Sequence, residues 1–246
     1  MKAIVLGATS GMGRAIAQKL AARGDSVYIL GIGEEELSKS AADLTARNPR
    51  GEKAEWGLLD LEKPETFLAA IEKADAALGG YDTVIVTAGL FATGDKLEED
   101  TELARRVITV NYANTVIFCE YARKRLLERG GGTLVVFSSV AGDRGRKPQI
   151  LYGSAKAGLS VYCEALDHKY HAQGLHVLCV KPGFVHTGMT AGLKAPPFAG
   201  EPDQVAGDVL KAIDAKKPVL YTPSMWALVM LVIRWLPRFV MRKINF

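Results

Sequence analysis

The sequence predicts an α/β protein: a doubly wound, Rossmann-type sheet of seven parallel strands in a single domain. Two observations carry this prediction. Short, continuously apolar runs alternate with longer amphipathic segments along most of the chain. The first apolar run also ends in a glycine-rich turn that opens a helix. Strands buried on both faces read as unbroken apolar runs, and strands that alternate with helices pair in parallel.

The strand-like runs fall at residues 3–6, 27–30, 54–58, 83–87, 134–138, 176–180 and 219–221. Helix-like stretches lie between them at 12–23, 34–47, 64–78, 101–128 and 152–173. A sheet of this kind binds ligands beyond the carboxyl ends of its strands. Residues 193–202 are rich in Pro, Gly and Ala and read as a mobile loop. The expected organisation is a dinucleotide-binding and catalytic core over 1–192, then a substrate lid and last strand over 193–223. An apolar and basic tail over 224–246 completes the same domain.

In that tail, residues 225–233 are unbroken apolar. Arg234 ends the run well short of the roughly 20 residues that span a bilayer. Arg234, Arg238 and Arg242 recur every four residues opposite Trp, Leu, Val and Phe, and Pro237 would break any helix there. Trp226 and Trp235 suit a lipid interface, and the basic residues suit lipid phosphates. The tail is therefore expected to lie on the cytoplasmic membrane face or to fold over an apolar substrate. Packing against a second subunit is the alternative.

The net charge of +4 comes without an arginine-rich block or finger spacing, so nucleic acid is not an expected partner. The surplus suits an anionic cofactor or an anionic membrane. Cys119, Cys163 and Cys179 are far apart and set in apolar surroundings, which reads as buried free thiols in a reducing compartment. Met1-Lys2 runs straight into the first strand with no signal peptide, so the expected location is cytoplasmic, with membrane association through the tail.

The first strand ends in Gly7-Ala8-Thr9-Ser10-Gly11-Met12-Gly13. Glycines let backbone approach a pyrophosphate, and the helix N-terminus that follows faces the negative charge. Asp60, with Leu61, follows the third strand, where a carboxylate can accept from an adenine amino group. Capping the next helix is its structural alternative. Thr87-Ala88-Gly89 ends the fourth strand with small residues against which a ribose can lie. After the second strand, Gly31 and Ile32 stand where an acid would bind the ribose 2′-hydroxyl of NAD. NADP(H) is therefore favoured, although no arginine replaces the acid and NAD(H) stays open. Arg14 is a candidate contact for the extra phosphate, and equally a solvated helix residue.

Tyr152 and Lys156 lie one helical turn apart and share a face. A nearby ammonium lowers a tyrosine pKa, giving a general acid for ketone reduction and a base for the reverse. His168 and His171 lack the companions a metal site needs, whereas His186 is placed near cofactor or substrate.

The glycine turn, Thr87-Ala88-Gly89, Asn111, Ser139, Tyr152-x-x-x-Lys156 and Pro182-Gly183-Phe184-Val185-His186-Thr187 occur in that order. Together they resemble the short-chain dehydrogenase/reductase family over about residues 1–192. The resemblance implies a catalytic set of Asn111, Ser139, Tyr152 and Lys156. Tyr152 would donate the proton and Ser139, thirteen residues earlier, would hold the carbonyl oxygen, with Ser138 a structural hydroxyl. Lys156 would grip the nicotinamide ribose and tune Tyr152. Asn111 would kink its helix and hold a relay water. Thr187 and the Val185 backbone would meet the carboxamide, beside Pro182 and Gly183. Two departures stand out: Leu6-Gly7 replaces the usual Thr-Gly, and Ala88 stands where an asparagine pair is more frequent.

Residues 136–146, 152–158 and the tail are also similar to decaprenylphosphoryl-2-keto-ribose reductases. That likeness implies a polyprenyl-phosphate-linked keto-sugar or another hydrophobic ketone, small-molecule or lipid-linked. A homodimer or homotetramer is expected. A dinucleotide-binding regulator or scaffold with little turnover is the alternative, though a binder needs no Tyr152 phenol.

Overall fold

A computed structural model describes residues 1–244, so Asn245 and Phe246 of the expected tail lie outside the described residues. Seven strands form one parallel sheet: β1 (Lys2–Leu6), β2 (Ser26–Gly31), β3 (Glu55–Leu58), β4 (Thr83–Val86), β5 (Gly132–Phe137), β6 (Leu175–Pro182) and β7 (Val219–Thr222). Their order is β3-β2-β1-β4-β5-β6-β7. The seven expected strands are all present, with ends within two residues of those read from the sequence.

The order reverses at β1, whose Leu6 registers with Leu30 of β2 and Val86 of β4. Loops leaving β1 and β4 diverge there and open a crevice at the carboxyl edge. Strand alternation divides the core. Val5, Ile29, Ile85, Val135 and Val180 pack one face. Leu6, Leu30, Val86, Val136 and Cys179 pack the other.

Helices α1 (Gly11–Arg23), α2 (Glu34–Arg47) and, later in the chain, the helix Pro202–Asp214 cover the first face through Ile16, Leu20, Leu37, Val205 and Val209. The second is covered by α3 (Phe67–Leu78), which follows a 3-10 turn at Pro64–Thr66, and by two more distant helices. A short helix α4 (Gly94–Glu99) comes first, then α5 (Thr101–Ile108), α6 (Asn114–Glu128) and α7 (Ile150–Tyr170). The helix Pro202–Asp214 is α8, and the tail forms α9 (Met225–Trp235) and α10 (Arg238–Met241). Helices α4 and α8 lie outside the segments singled out by periodicity.

The expected helix over 101–128 is interrupted by a π turn at Thr109–Ala113, centred on Asn111. The Asn111 amide donates to Val107 O at 2.9 Å, competing with the regular backbone ladder. In the tail, Leu236 adopts an extended ψ of 131° before Pro237, which caps α10 instead of continuing α9. Among the described residues no helix is long and apolar enough to cross a membrane.

The tail departs from expectation at Trp226. This side chain is 5% exposed and packs with Val140 and Met230. Its ring meets Phe198 edge-on at 5.0 Å. Facing inward, it cannot serve a lipid interface, whereas Trp235, at 81% exposure, is free to. The inward turn follows from α9 docking on β7 and on the segment after β6, where Gly183 leaves room for the indole. A Cβ on Gly183 would fall 2.0 Å from Trp226 Nε1.

Candidate active site

A cleft of about 480 Å³ lies at the carboxyl edge beside the β1 turn. Gly7, Thr9, Ser10, Gly11, Met12 and Gly13 form its floor. Asp60 and Leu61 line one side, Ala88 and Gly89 the other, and Thr187 closes it. The turn has room only for glycine at two places. A Cβ on Gly13 would lie 2.2 Å from Gly7 O, and one on Gly7 would lie 2.7 Å from Ala88 N. Ser10 caps α1 without using its hydroxyl, and no acid occupies the helix's first turn. The N-terminus thus presents unopposed N–H groups to an anion. A dinucleotide fits this cradle.

Leu6 brings no hydroxyl to the turn, and one is supplied from β4's end instead. Thr87 Oγ1 donates to Leu6 O at 2.9 Å and lies 3.3 Å from Gly7 O. Asp60 lines the cleft, and its Oδ1 accepts from Glu62 N at 2.9 Å in a local turn; it does not cap the next helical turn, Pro64–Thr66, whose N-cap is Lys63.

A second cavity of about 250 Å³ adjoins the cleft, sharing Met12, Thr87, Gly89, Thr187 and Met189 with it. Asn111, Ser139, Tyr152 and Lys156 all line it, as do Pro182, Gly183 and Val185. Ser139 stands at the end of β5, where its Oγ accepts from Ala141 N at 3.1 Å and caps a 3-10 turn. Ser138 bonds Lys156 O at 2.7 Å and Ser160 Oγ at 2.8 Å, a structural position. Asn111 stands at the expected kink. Its amide donates to both Leu90 O and Val107 O, and its Oδ1 accepts from Leu90 N at 3.0 Å. With both amide hydrogens engaged, the side chain clamps the β4 loop to the kinked helix.

The electrostatics also differ from the expected tuning. Burial pushes the Tyr152 phenol up to about 12, opposed by a hydrogen bond with Ser139 and the charge of Arg146. Lys156 does not offset this. Its Nζ donates to Phe137 O at 2.8 Å and sits 5.7 Å from the centre of the Tyr152 ring. One helical turn places the ammonium over the ring, where it is held by the Phe137 carbonyl. Tyr152 therefore stays protonated at neutral pH, the state a proton donor needs.

Burial lowers the Lys156 ammonium from 10.5 to about 8. Between those values the unfolded chain holds a proton that the folded chain has lost, so stability rises with pH from about 8 toward 10.5. The cofactor-free protein should gain on its Lys156→Met variant across that window by an amount on the order of 1–3 kcal/mol. Denaturant unfolding at a series of pH values measures this. A difference that does not vary with pH would show that burial does not govern the ammonium.

Two residues reach the site that the motif pattern does not single out, and a third, Glu36, lies outside both cavities. Phe91 meets the Tyr152 ring edge-on at 5.2 Å. Arg146 lines the catalytic cavity, and its only sequence signal is the basic run just before Tyr152. Glu36 turns back over the end of β2: a Cβ on Gly33 would lie 2.3 Å from its Oε2. Arg14, in contrast, folds onto its own turn and donates to Thr9 O. His186 lines neither cavity. It lies beside the Phe184 ring and 3.9 Å from Glu201.

This arrangement defines a class: an oxidoreductase with a dinucleotide cleft opening onto a cavity that holds a tyrosine, a serine and a lysine. The model of the short chain dehydrogenase family matches residues 1–197, and the chain belongs to that family. It is an NAD(P)-dependent oxidoreductase acting on alcohol and carbonyl groups. An uncharacterized oxidoreductase of Mycobacterium tuberculosis is 31% identical over 243 residues, 98% of this chain and 95% of that protein. A 3-oxoacyl-acyl-carrier-protein reductase of Chlamydia muridarum is 32% identical over 191 residues, 78% of this chain and 76% of that protein. Among solved structures, actinorhodin polyketide ketoreductase with NADPH superposes with a TM-score of 0.79 at 25% identity, covering 89% of this chain and 94% of that one.

Proposed function

We propose that this protein is an NADPH-preferring ketoreductase that interconverts a hydrophobic or polyprenyl-phosphate-linked ketone and its secondary alcohol. The observation that carries the reading is the confluence of the two cavities, with Tyr152, Ser139 and Lys156 on the walls of the inner one. When bound, the nicotinamide supplies or accepts the hydride at the carbonyl carbon. Tyr152 gives its phenolic proton to the carbonyl oxygen, and Ser139 holds that oxygen by a second hydrogen bond. Lys156, already fixed on Phe137 O, holds the ribose, and its positive charge favours the phenolate left once the proton has gone. Asn111 is a positioning residue that keeps the β4 loop in place. Thr187 and the Val185 backbone, which line the inner cavity, would hold the carboxamide.

The apolar walls from Phe91, Leu193, Pro196 and Trp226 support a hydrophobic substrate. Ile108, Ile117 and Val161 are exposed on α5, α6 and α7, which supports assembly as a homodimer or homotetramer. The outer face of α9 exposes Leu228, Leu231, Val232 and Trp235, which supports peripheral contact with a lipid surface.

Turnover of a panel of ketones of rising chain length, with NADPH and NADH compared, tests the reading. Tighter binding of NADPH is expected because no acid stands at Gly31 or Ile32. Gly31→Asp should shift preference toward NADH by repelling the 2′-phosphate. Glu36→Gln should raise the preference for NADPH by removing a carboxylate that folds back over Gly33, two residues beyond Gly31. Equal or better affinity for NADH in the unmodified protein refutes the preference, and no turnover of any ketone favours a binding protein.

A further inference from the structure

The wall that Arg146 gives to the catalytic cavity has a second side. There Arg144, Arg146 and Lys147 face Arg238 and Arg242 across a cleft of about 510 Å³. Ile150 and Ser154, which flank Tyr152 on α7, form its base, and among the described residues no carboxylate lines it. Elsewhere the arginines are mostly neutralised: Arg23, Arg47, Arg106, Arg123 and Arg129 each have a carboxylate within 4.0 Å. Among the described residues, Arg144, Lys147, Arg238 and Arg242 have none. Arg144 also joins the two walls, donating to Leu236 O at 2.7 Å. The positive charge is therefore concentrated in a formed cleft that shares a side chain with the site of chemistry.

Gathering like charges without a counter-charge costs energy through mutual repulsion, and an anion between them reverses the sign of that term. Arginine forks match the oxygens of a phosphate, and charge-assisted bonds of this kind are about twice as strong as neutral ones. We propose that the cleft between residues 144–147 and the tail is a phosphate subsite. It takes a phosphate ester or diester carried by the substrate, whose ketone then reaches Tyr152 past Arg146. The inference rests on the ketoreductase reading for the ketone end, while the phosphate end can be tested without turnover.

The probe is octyl phosphate below its micellar range, with octanol as the uncharged control. Both are titrated calorimetrically into the full chain saturated with NADP⁺, so that the dinucleotide cleft is already filled. Octyl phosphate should bind at least about tenfold more tightly than octanol. In a triple variant, Lys147→Gln, Arg238→Gln and Arg242→Gln, that advantage should vanish while octanol affinity changes less than about twofold. High salt should weaken only the phosphate. Equal binding of the two probes, or an undiminished advantage in the triple variant, overturns the proposal. Phosphatidylglycerol vesicles distinguish the source. If the triple variant loses vesicle binding but soluble octyl phosphate never binds, the cations serve lipid headgroups and the substrate subsite is refuted. Failure of every ketone to turn over would count against the Tyr152 chemistry and leave the titration result standing.

Discussion

Replacing Tyr152 by Phe should reduce kcat by about 10²–10⁴-fold while cofactor affinity stays within about twofold. The hydroxyl is the only group removed. The ring keeps its edge contact with Phe91 and its place beside Lys156, so the cavity retains its shape. The phenol is held protonated by burial, and the variant has no other donor at that position. Stability should be unchanged or slightly raised, since a polar group leaves a poorly solvated site. Steady-state turnover of a ketone from the panel, with cofactor fluorescence titration, measures both quantities. A variant with near-normal kcat would remove Tyr152 from the chemistry. Equal loss of cofactor binding and turnover would mean that the substitution had disturbed the cradle.

Gly13→Ala should abolish cofactor binding and destabilise the fold by about 1–3 kcal/mol. The added methyl would lie 2.2 Å from Gly7 O and 2.4 Å from Thr87 Oγ1. The first of these is backbone and cannot swing aside, so α1 must move away from the turn. That shift also breaks the Thr87 contacts with Leu6 and Gly7 that hold the β4 loop. Gly145→Ala is the control, because a Cβ there meets nothing within 4 Å. Urea unfolding and cofactor titration of both variants give the comparison. A Gly13→Ala protein with ordinary stability and cofactor affinity would show that the turn does not need this close approach.

The sheet was legible because its strands are buried on both faces, and that burial writes itself as runs such as Ala3-Ile4-Val5-Leu6. The motif residues were legible because the turn at Gly7–Gly13 and the pair Tyr152/Lys156 are local in sequence. What escaped was set by contacts between distant segments. The clamp that Asn111 makes on Leu90 depends on the β4 loop passing beside the kinked helix, and the phenol pKa depends on how deeply the finished cavity buries it. Trp226 read as an interface residue because its neighbours are apolar on every side of α9. Only the space above Gly183 decides which side turns inward. Glu36 shares the first turn of α2 with Glu34 and Glu35, and its fold back over Gly33 has no signature in that run.

Helix α9 presents Trp226 to the catalytic cavity and Trp235 to the outside, so one rigid element has two clients. Binding free energies that act through a common element are reciprocal. If a surface or second subunit engages the outer face and shifts the helix by even a fraction of an ångström, Trp226 moves against Gly183. Affinity for whatever lies in the cavity then changes by some factor, and filling the cavity must change affinity for the outer partner by the same factor. Removing the tail to study its attachments would therefore also strip a wall from the catalytic cavity. Substitutions at Leu228, Leu231 and Val232 leave that wall in place, so they can separate where the protein docks from what it reduces.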